Sequence, residues 1–158
     1  MRKAIGIDLG GTKISGGIVD EKGRILTLLR RDTEAEKGRQ VVLKNLSKVI
    51  EELMEMDKVD AIGIGSPGTV DVKEGRVLSI GGNISGWAYT NIRGELSKKF
   101  NLPIFVENDA SAAALCEGWI GAGKNLDSFV MITLGTGVGG SIYSKKKWHM
   151  AWQELSRS

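Results

Sequence analysis

Cysteine is almost absent. Cys116 is the only one in 158 residues, which excludes an internal disulfide and any Cys-rich zinc site. Histidine is as scarce. His149 stands alone with no cysteine beside it, so no structural zinc is expected. No apolar run approaches the roughly 18 residues of a membrane span. The composition, 41% hydrophobic and 26% charged, excludes a disordered chain. Most of the chain also lacks a charge excess of either sign. The net charge of +3 belongs to residues 145–158, where Lys145, Lys146, Lys147 and Arg157 outweigh Glu154. Nucleic-acid binding by the body is therefore not expected, and the lysine run reads as a solvated end. The opening Met1–Asp8 meets an acid too early for a signal peptide. A cytoplasmic location without a membrane partner is the default expectation. The length suits about one domain, enough to bury roughly two-thirds of the unfolded surface.

What the chain does have is glycine: 22 residues, about twice ordinary usage. Glycine between apolar strands marks backbone that must approach something closely. Buried strands are expected over Lys3–Leu9, Ile14–Asp20 and Arg24–Arg30. Their short turns require antiparallel pairing, because a parallel pair needs a crossover of about a dozen residues. Val42, Leu46, Val49, Leu53 and Met56 recur at helical spacing within Arg39–Met56, widened by Leu43, Ile50 and Met54. A strand follows at Val59–Gly65, then an irregular stretch from Ser66 to Trp87. A helix at Thr90–Phe100, a strand at Pro103–Glu107 and an Ala-rich helix at Ala110–Trp119 complete the unit. Asp109 stands where it would cap that last helix, and Cys116 on it reads as core packing. The order βββαβαβα predicts an α/β fold with a mixed sheet and helices on both faces.

One further hairpin, Ser128–Leu134 with Val138–Tyr143, repeats the beginning. Ile5–Thr12 overlays Val130–Gly137 as an apolar strand, Leu-Gly and a small-residue turn. One full copy and one begun copy imply a two-lobed protein cut short. Residues 1–122 are expected to form the first lobe, 123–143 the opening hairpin of the second, and 144–158 a basic tail. The boundary is placed at Gly121–Asn125. The hairpin exposes Val130, Ile132, Leu134 and open strand edges, so a homo-oligomer that buries it is expected.

The two Gly-Thr loops suit an anion, since glycine lets backbone N–H groups converge without obstruction. Thr12, Lys13 and Thr136 add hydroxyl and ammonium donors, and Asp8 is placed to hold Mg²⁺ directly or through water. The simpler reading is two tight hairpins needing positive φ. Their matching places in a repeat favour nucleotide phosphate. Neither loop is a P-loop, for no Gly-Lys-Ser/Thr ending exists, and neither opens a helix as a dinucleotide fingerprint does. Glu107-Asn108-Asp109 ends a strand and opens a helix. Asn108 donates and accepts at once, matching a sugar hydroxyl, and Asp109 can accept a hydroxyl proton. Gly63–Gly68 makes a strand end and tight turn. Asn83 offers an amide and Trp87 an apolar face, unless the tryptophan is simply core.

Taken in order, these segments resemble the ROK sugar kinases, glucokinase-type members of the actin-like ATPase superfamily. The matches are Ile7–Lys13, Gly63–Gly68, Asn83–Trp87, Glu107–Ala110 and Leu134–Gly140. The resemblance implies a ribonuclease H-like/actin-like ATPase lobe and ATP- and Mg²⁺-dependent phosphorylation of a hexose hydroxyl, with glucose or an N-acetyl hexosamine as partner. It implies Asp109 as catalytic base, with Asn83, Asn108, Gly65 and Gly68 around the sugar. Gly10, Gly11, Thr12, Lys13, Thr136 and Gly137 then face phosphates, Asp8 belongs to the metal side, and a dimer or tetramer is implied. After Gly140 the chain departs from the family. The Gly-Glu-Ile/Leu-Gly-His motif and the Cys-rich zinc site do not follow, and Glu154 in Gln153–Ser156 is a faint counterpart of the sugar-binding Glu. Impaired activity is expected on that ground. The alternative is a sugar-binding or regulatory module without catalysis, or an inactive remnant.

Overall fold

The computed structural model describes residues 1–79, 84–134 and 138–144. Its strands are β1 (Lys3–Leu9), β2 (Lys13–Asp20), β3 (Ile25–Asp32), β4 (Ala61–Ser66), β5 (Val70–Asp71), β6 (Arg76–Val77), β7 (Ile104–Asn108), β8 (Ser128–Leu134) and β9 (Val138–Ser144). Its helices are α1 (Arg39–Met56), α2 (Ile92–Ser97) and α3 (Asp109–Trp119), with one 3-10 turn at Ala35–Lys37. Two compact units result, one spanning 1–108 and one from Asp109 onward. The Gly121–Asn125 stretch proposed as a lobe boundary falls inside the second, because α3 groups with the β8–β9 hairpin.

The first unit is a five-stranded mixed sheet in the order β3-β2-β1-β4-β7. β1, β2 and β3 pair antiparallel, as their short turns require. β1, β4 and β7 pair parallel, joined by the crossovers that carry α1 and α2. Alternation puts Ile5, Ile7 and Leu9 on one face beside Ile62 and Ile64, all buried. α1 covers this face with Val42, Leu46, Val49, Ile50 and Leu53. The approach is close: a Cβ at Gly16 would stand 2.7 Å from Val49 and 2.9 Å from Ile7. α2 adds Ile92 and Leu96 to the same core. Among the described residues of this unit, α1 and α2 both pack on this face. The second face carries Gly6, Gly17 and Gly63, and Phe105 on it is 60% exposed.

Four local expectations need correction. The stretch from Ser66 to Trp87 contains the small β5–β6 hairpin, whose two-residue strands are too short to show a period. α2 starts only after Asn91, whose Oδ1 accepts the Gly94 amide at 2.9 Å as an N-cap. Met54 and Met56 point outward at the end of α1 rather than continuing its buried stripe. Cys116 is exposed, because α3 buries only Ala114 and Gly118, on another side of the helix.

Arg93 on α2 knits the unit's edge. Its Nε donates to Ile104 O at 2.8 Å and its Nη2 to Val72 O at 2.8 Å, while Nη1 donates to Lys73 O. One guanidinium thus joins α2, β7 and the β5–β6 turn.

In the second unit β8 pairs with β9 from Ser128↔Ser144 to Leu134↔Val138. Phe129 and Tyr143 stack with centroids 4.8 Å apart. The Tyr143 ring lies where a Cβ on Gly118 would need to be, 2.6 Å away. Among the described residues, nothing packs on the other face of the hairpin. Val130, Ile132, Leu134 and Val138 are each between 66% and 82% exposed.

Candidate functional site

Parallel pairing sets the site's frame. β1, β4 and β7 end at one edge of the sheet, with Asp8 opposite Gly65 and Ser66 opposite Asn108. The carboxyl edge of a parallel sheet is where α/β proteins receive ligands. It gathers Asp8, the Gly10–Lys13 loop, the Gly65–Gly68 turn and Asn108.

The Gly10–Lys13 loop is a tight reversal between β1 and β2. Gly10 N–H donates to Lys13 O at 3.0 Å. Neither Gly10 nor Gly11 has positive φ, so the hairpin explanation for these glycines fails. Space is the reason at Gly10, where a Cβ would stand 3.0 Å from Lys13 O. Gly11, Thr12 and Lys13 are exposed. The Lys13 ammonium rests on Asp32 at 2.5 Å, an exposed pair that an anion can rearrange at little cost.

The Gly65–Gly68 turn is tied to the end of β7. Asn108 Nδ2 donates to Gly68 O at 2.9 Å, linking positions 40 apart in sequence. Gly68 takes a φ of 90°, which glycine alone adopts freely. Ser66 is fully buried and receives the Trp87 indole N–H at 3.0 Å. Trp87 is 1% exposed. It is a core residue that anchors the 84–87 segment to this turn, and it offers no face to a ligand. Sequence reasoning named the turn's glycines and passed over Ser66 between them.

Glu107 is a second residue that the motif reading left without a role. It is half-buried, and burial pushes its carboxyl above the usual range against the opposing Asn108 amide. Its Oε1 accepts that amide at 2.8 Å, which fixes the backbone just ahead of Asp109. Asp109 is exposed and is the first residue of α3 rather than the residue before it. Its Oδ1 accepts the Ala110 amide at 2.8 Å. Asp8 is exposed near the end of β1.

Asn83, Thr136, Gly137 and Glu154 lie outside the described residues, so the second phosphate loop and part of the expected sugar site have no geometry here. Among the described residues no three acidic or histidine side chains gather into a metal cage. A single carboxylate such as Asp8 nevertheless fits Mg²⁺, which commonly takes one or two carboxylates and fills its shell with water and phosphate oxygens. No helix among the described residues is long and apolar enough to cross a membrane.

The ROK family model matches residues 4–151. The chain belongs to the ROK family. The glucokinase of Thermotoga maritima is 41% identical over 140 residues, covering 89% of this chain and 44% of that protein. The beta-glucoside kinase of Listeria monocytogenes is 35% identical over 142 residues, covering 90% and 47%. A ROK family glucokinase from Streptomyces griseus, solved with glucose and AMPPNP, superposes with a TM-score of 0.83 at 38% identity. It covers 92% of this chain and 45% of that one. The fold is thus the α/β fold of ROK, actin-like kinases, and this ROK chain spans less than half the length of these relatives.

Proposed function

We propose that this chain carries the phosphate- and sugar-binding lobe of an ATP-dependent hexose kinase, with glucose or an N-acetyl hexosamine as acceptor. The observation that carries the reading is the Asn108–Gly68 hydrogen bond. It joins the two motif segments assigned to the sugar at the same sheet edge as the Gly10–Lys13 loop. The kinship with a glucokinase solved with glucose and AMPPNP supports the choice of substrates.

In this reading Asn108 and the Gly65–Gly68 turn orient the sugar. The carbonyl of Gly68 already holds the Asn108 amide, so the Asn108 oxygen is presented in a fixed direction. Asp109 removes the proton from the attacking hydroxyl. The hydroxyl oxygen bonds to the terminal phosphorus of ATP while the bond to the bridging oxygen breaks, and ADP leaves. Base catalysis of this kind contributes about 10²–10⁴ in rate. Placement and charge neutralisation supply the larger share. Gly10, Gly11, Thr12 and Lys13 hold phosphates, joined by Thr136 and Gly137. Asp8 would hold Mg²⁺ through water, and the ion would neutralise phosphate charge. Asn83 and Glu154 complete the sugar contacts.

A coupled assay of ADP release with glucose tests this. Turnover near the enzyme median of about 10 per second, lost on Asp109→Asn with the fold retained, is the result expected of a complete catalyst. Because the chain spans under half of its relatives, a second reading is a sugar-binding module that does not turn over. Calorimetric binding of glucose with no ADP release would favour that module. Absence of both binding and turnover would overturn both readings.

A further inference from the structure

Thr33 lies just beyond β3, in a connection to which no motif assigned a role, and it is fully buried. Its hydroxyl donates to Gly10 O at 2.7 Å. Its backbone N–H donates to Thr12 O at 2.9 Å. Its own carbonyl accepts the Asn45 side chain of α1 at 3.3 Å. Together with the Gly10 N–H to Lys13 O bond, this commits three of the loop's four carbonyls to partners inside the protein. The fact matters for an anion site. A carbonyl oxygen turned outward would repel phosphate, and a loop binds anions only when its N–H groups, not its oxygens, face the ligand.

The next residues carry the brace further. Ser85 N–H donates to Ala35 O at 3.4 Å, and Arg39 N–H donates to Ser85 O at 3.1 Å. Ser85 precedes Trp87 by two residues, and Trp87 is hydrogen-bonded to Ser66 in the turn assigned to the sugar. The connection between β3 and α1 therefore has one end on the phosphate loop and the other on the segment that supports the sugar turn.

We propose that Thr33 is the positioning residue of the phosphate loop, taking the Gly10 carbonyl with its hydroxyl and the Thr12 carbonyl with its amide so that the loop meets a polyphosphate without an opposing oxygen. The polyphosphate half of this proposal rests on the kinase reading; the loop-ordering half does not. Thr33→Val keeps the side-chain shape and the backbone N–H and deletes only the hydroxyl bond. Thr33→Ser keeps that bond.

Amide hydrogen exchange on the ligand-free full chain is the first measurement. Thr33→Val should speed exchange at Gly10 and Thr33 by about tenfold or more, the lower end for one unsatisfied buried acceptor. Thr33→Ser should match the wild type, and amides in the middle of β1 and β4 should not change. Unaltered exchange at Gly10 and Thr33, or equal acceleration throughout the sheet, overturns the proposal. Titration with ATP·Mg²⁺ and, separately, with glucose is the second. ATP affinity should weaken about tenfold in Thr33→Val and recover in Thr33→Ser, with glucose affinity unchanged. Equal weakening of both ligands overturns a positioning role. If the wild type binds no ATP at all, the kinase reading falls, and the exchange measurement alone decides for or against Thr33.

Discussion

The two compact units of this chain contrast in how each handles apolar surface. The first puts 24 buried hydrophobic side chains into one core between a five-stranded sheet and two helices. In the second, Ala114 is the one buried hydrophobic residue among those described. Its hairpin leaves Leu134 82% and Val138 74% exposed, on a face that none of the described residues covers. Both units contain the same device, an apolar strand paired antiparallel with the strand that follows it. The device is stable only when a further layer buries its apolar face. The first unit supplies that layer with α1. The second has α3 on one side of its hairpin, and the bare side is a surface fit for another polypeptide.

The largest expected effect comes from striking the first core. Leu46 is fully buried in α1, and Leu46→Ala should cost about 2–5 kcal/mol in urea unfolding followed by far-UV dichroism. A paired insult then sharpens the contrast. A Cβ at Gly16 would stand 2.7 Å from Val49, and a Cβ at Gly118 would stand 2.6 Å from the Tyr143 ring. Gly16→Ala should lower the main transition by about 1–3 kcal/mol, the range for overpacking. Gly118→Ala should leave that transition in place and shift only the near-UV signal of the Phe129–Tyr143 stack. A single transition, displaced equally by both substitutions, would break the distinction between the units.

A smaller effect is expected on the bare face. We expect the full chain to self-associate through the hairpin. Ile132 lies opposite Gly140 and is 66% exposed, so Ile132→Lys removes apolar surface without opening a cavity. Light scattering should show the wild type as an oligomer and the variant as a monomer, while the stability of the first unit moves by less than about 0.5 kcal/mol. A monomeric wild type at high concentration would remove self-association as the answer to the exposed face.

The sheet of the first unit was legible because its signals are local. Short turns dictate antiparallel neighbours, alternation selects Ile5, Ile7 and Leu9, and the α1 stripe repeats at 3.6 residues. The Gly10–Lys13 loop and Glu107-Asn108-Asp109 stood out as candidates for the same reason, since each is a contiguous string. What escaped depends on partners far along the chain. The 3-10 turn and the β5–β6 hairpin are too short to carry a period. Nothing near Thr33 announces that its hydroxyl serves Gly10, 23 residues earlier. Trp87 offered both a core and a pocket reading, and its burial and its bond to Ser66 separate them. Cys116 was misplaced because an alanine-rich helix has apolar residues on every side, so its pattern does not say which side is covered.

The smallest effects concern pH, and two carboxylates of the first unit should respond in opposite directions. Asp20 is buried at the β2–β3 turn. It accepts the Arg24 and Lys22 amides at 2.9 Å each and the Arg24 Nε at 2.7 Å. The Arg24 amide leads these in holding its carboxyl below the usual range, and desolvation only partly opposes them. A depressed acid favours the folded state when ionised. Its contribution is present above the ordinary carboxylate range and is lost as pH falls through the lowered value. Glu107 is the reverse case. Burial raises it, so the fold prefers it neutral, and its contribution is largest below the ordinary glutamate range and is lost as pH rises through the raised value. Asp20→Asn should flatten the acid limb of a urea-midpoint profile, and Glu107→Gln should flatten a shallow decline on its higher-pH side. The Glu107 decline should also appear in sugar affinity, because that carboxyl holds the backbone N–H of Asn108, while the Asp20 limb should leave sugar affinity untouched. Profiles that respond identically to the two substitutions would show that the carboxylates act through net charge rather than through these bonds.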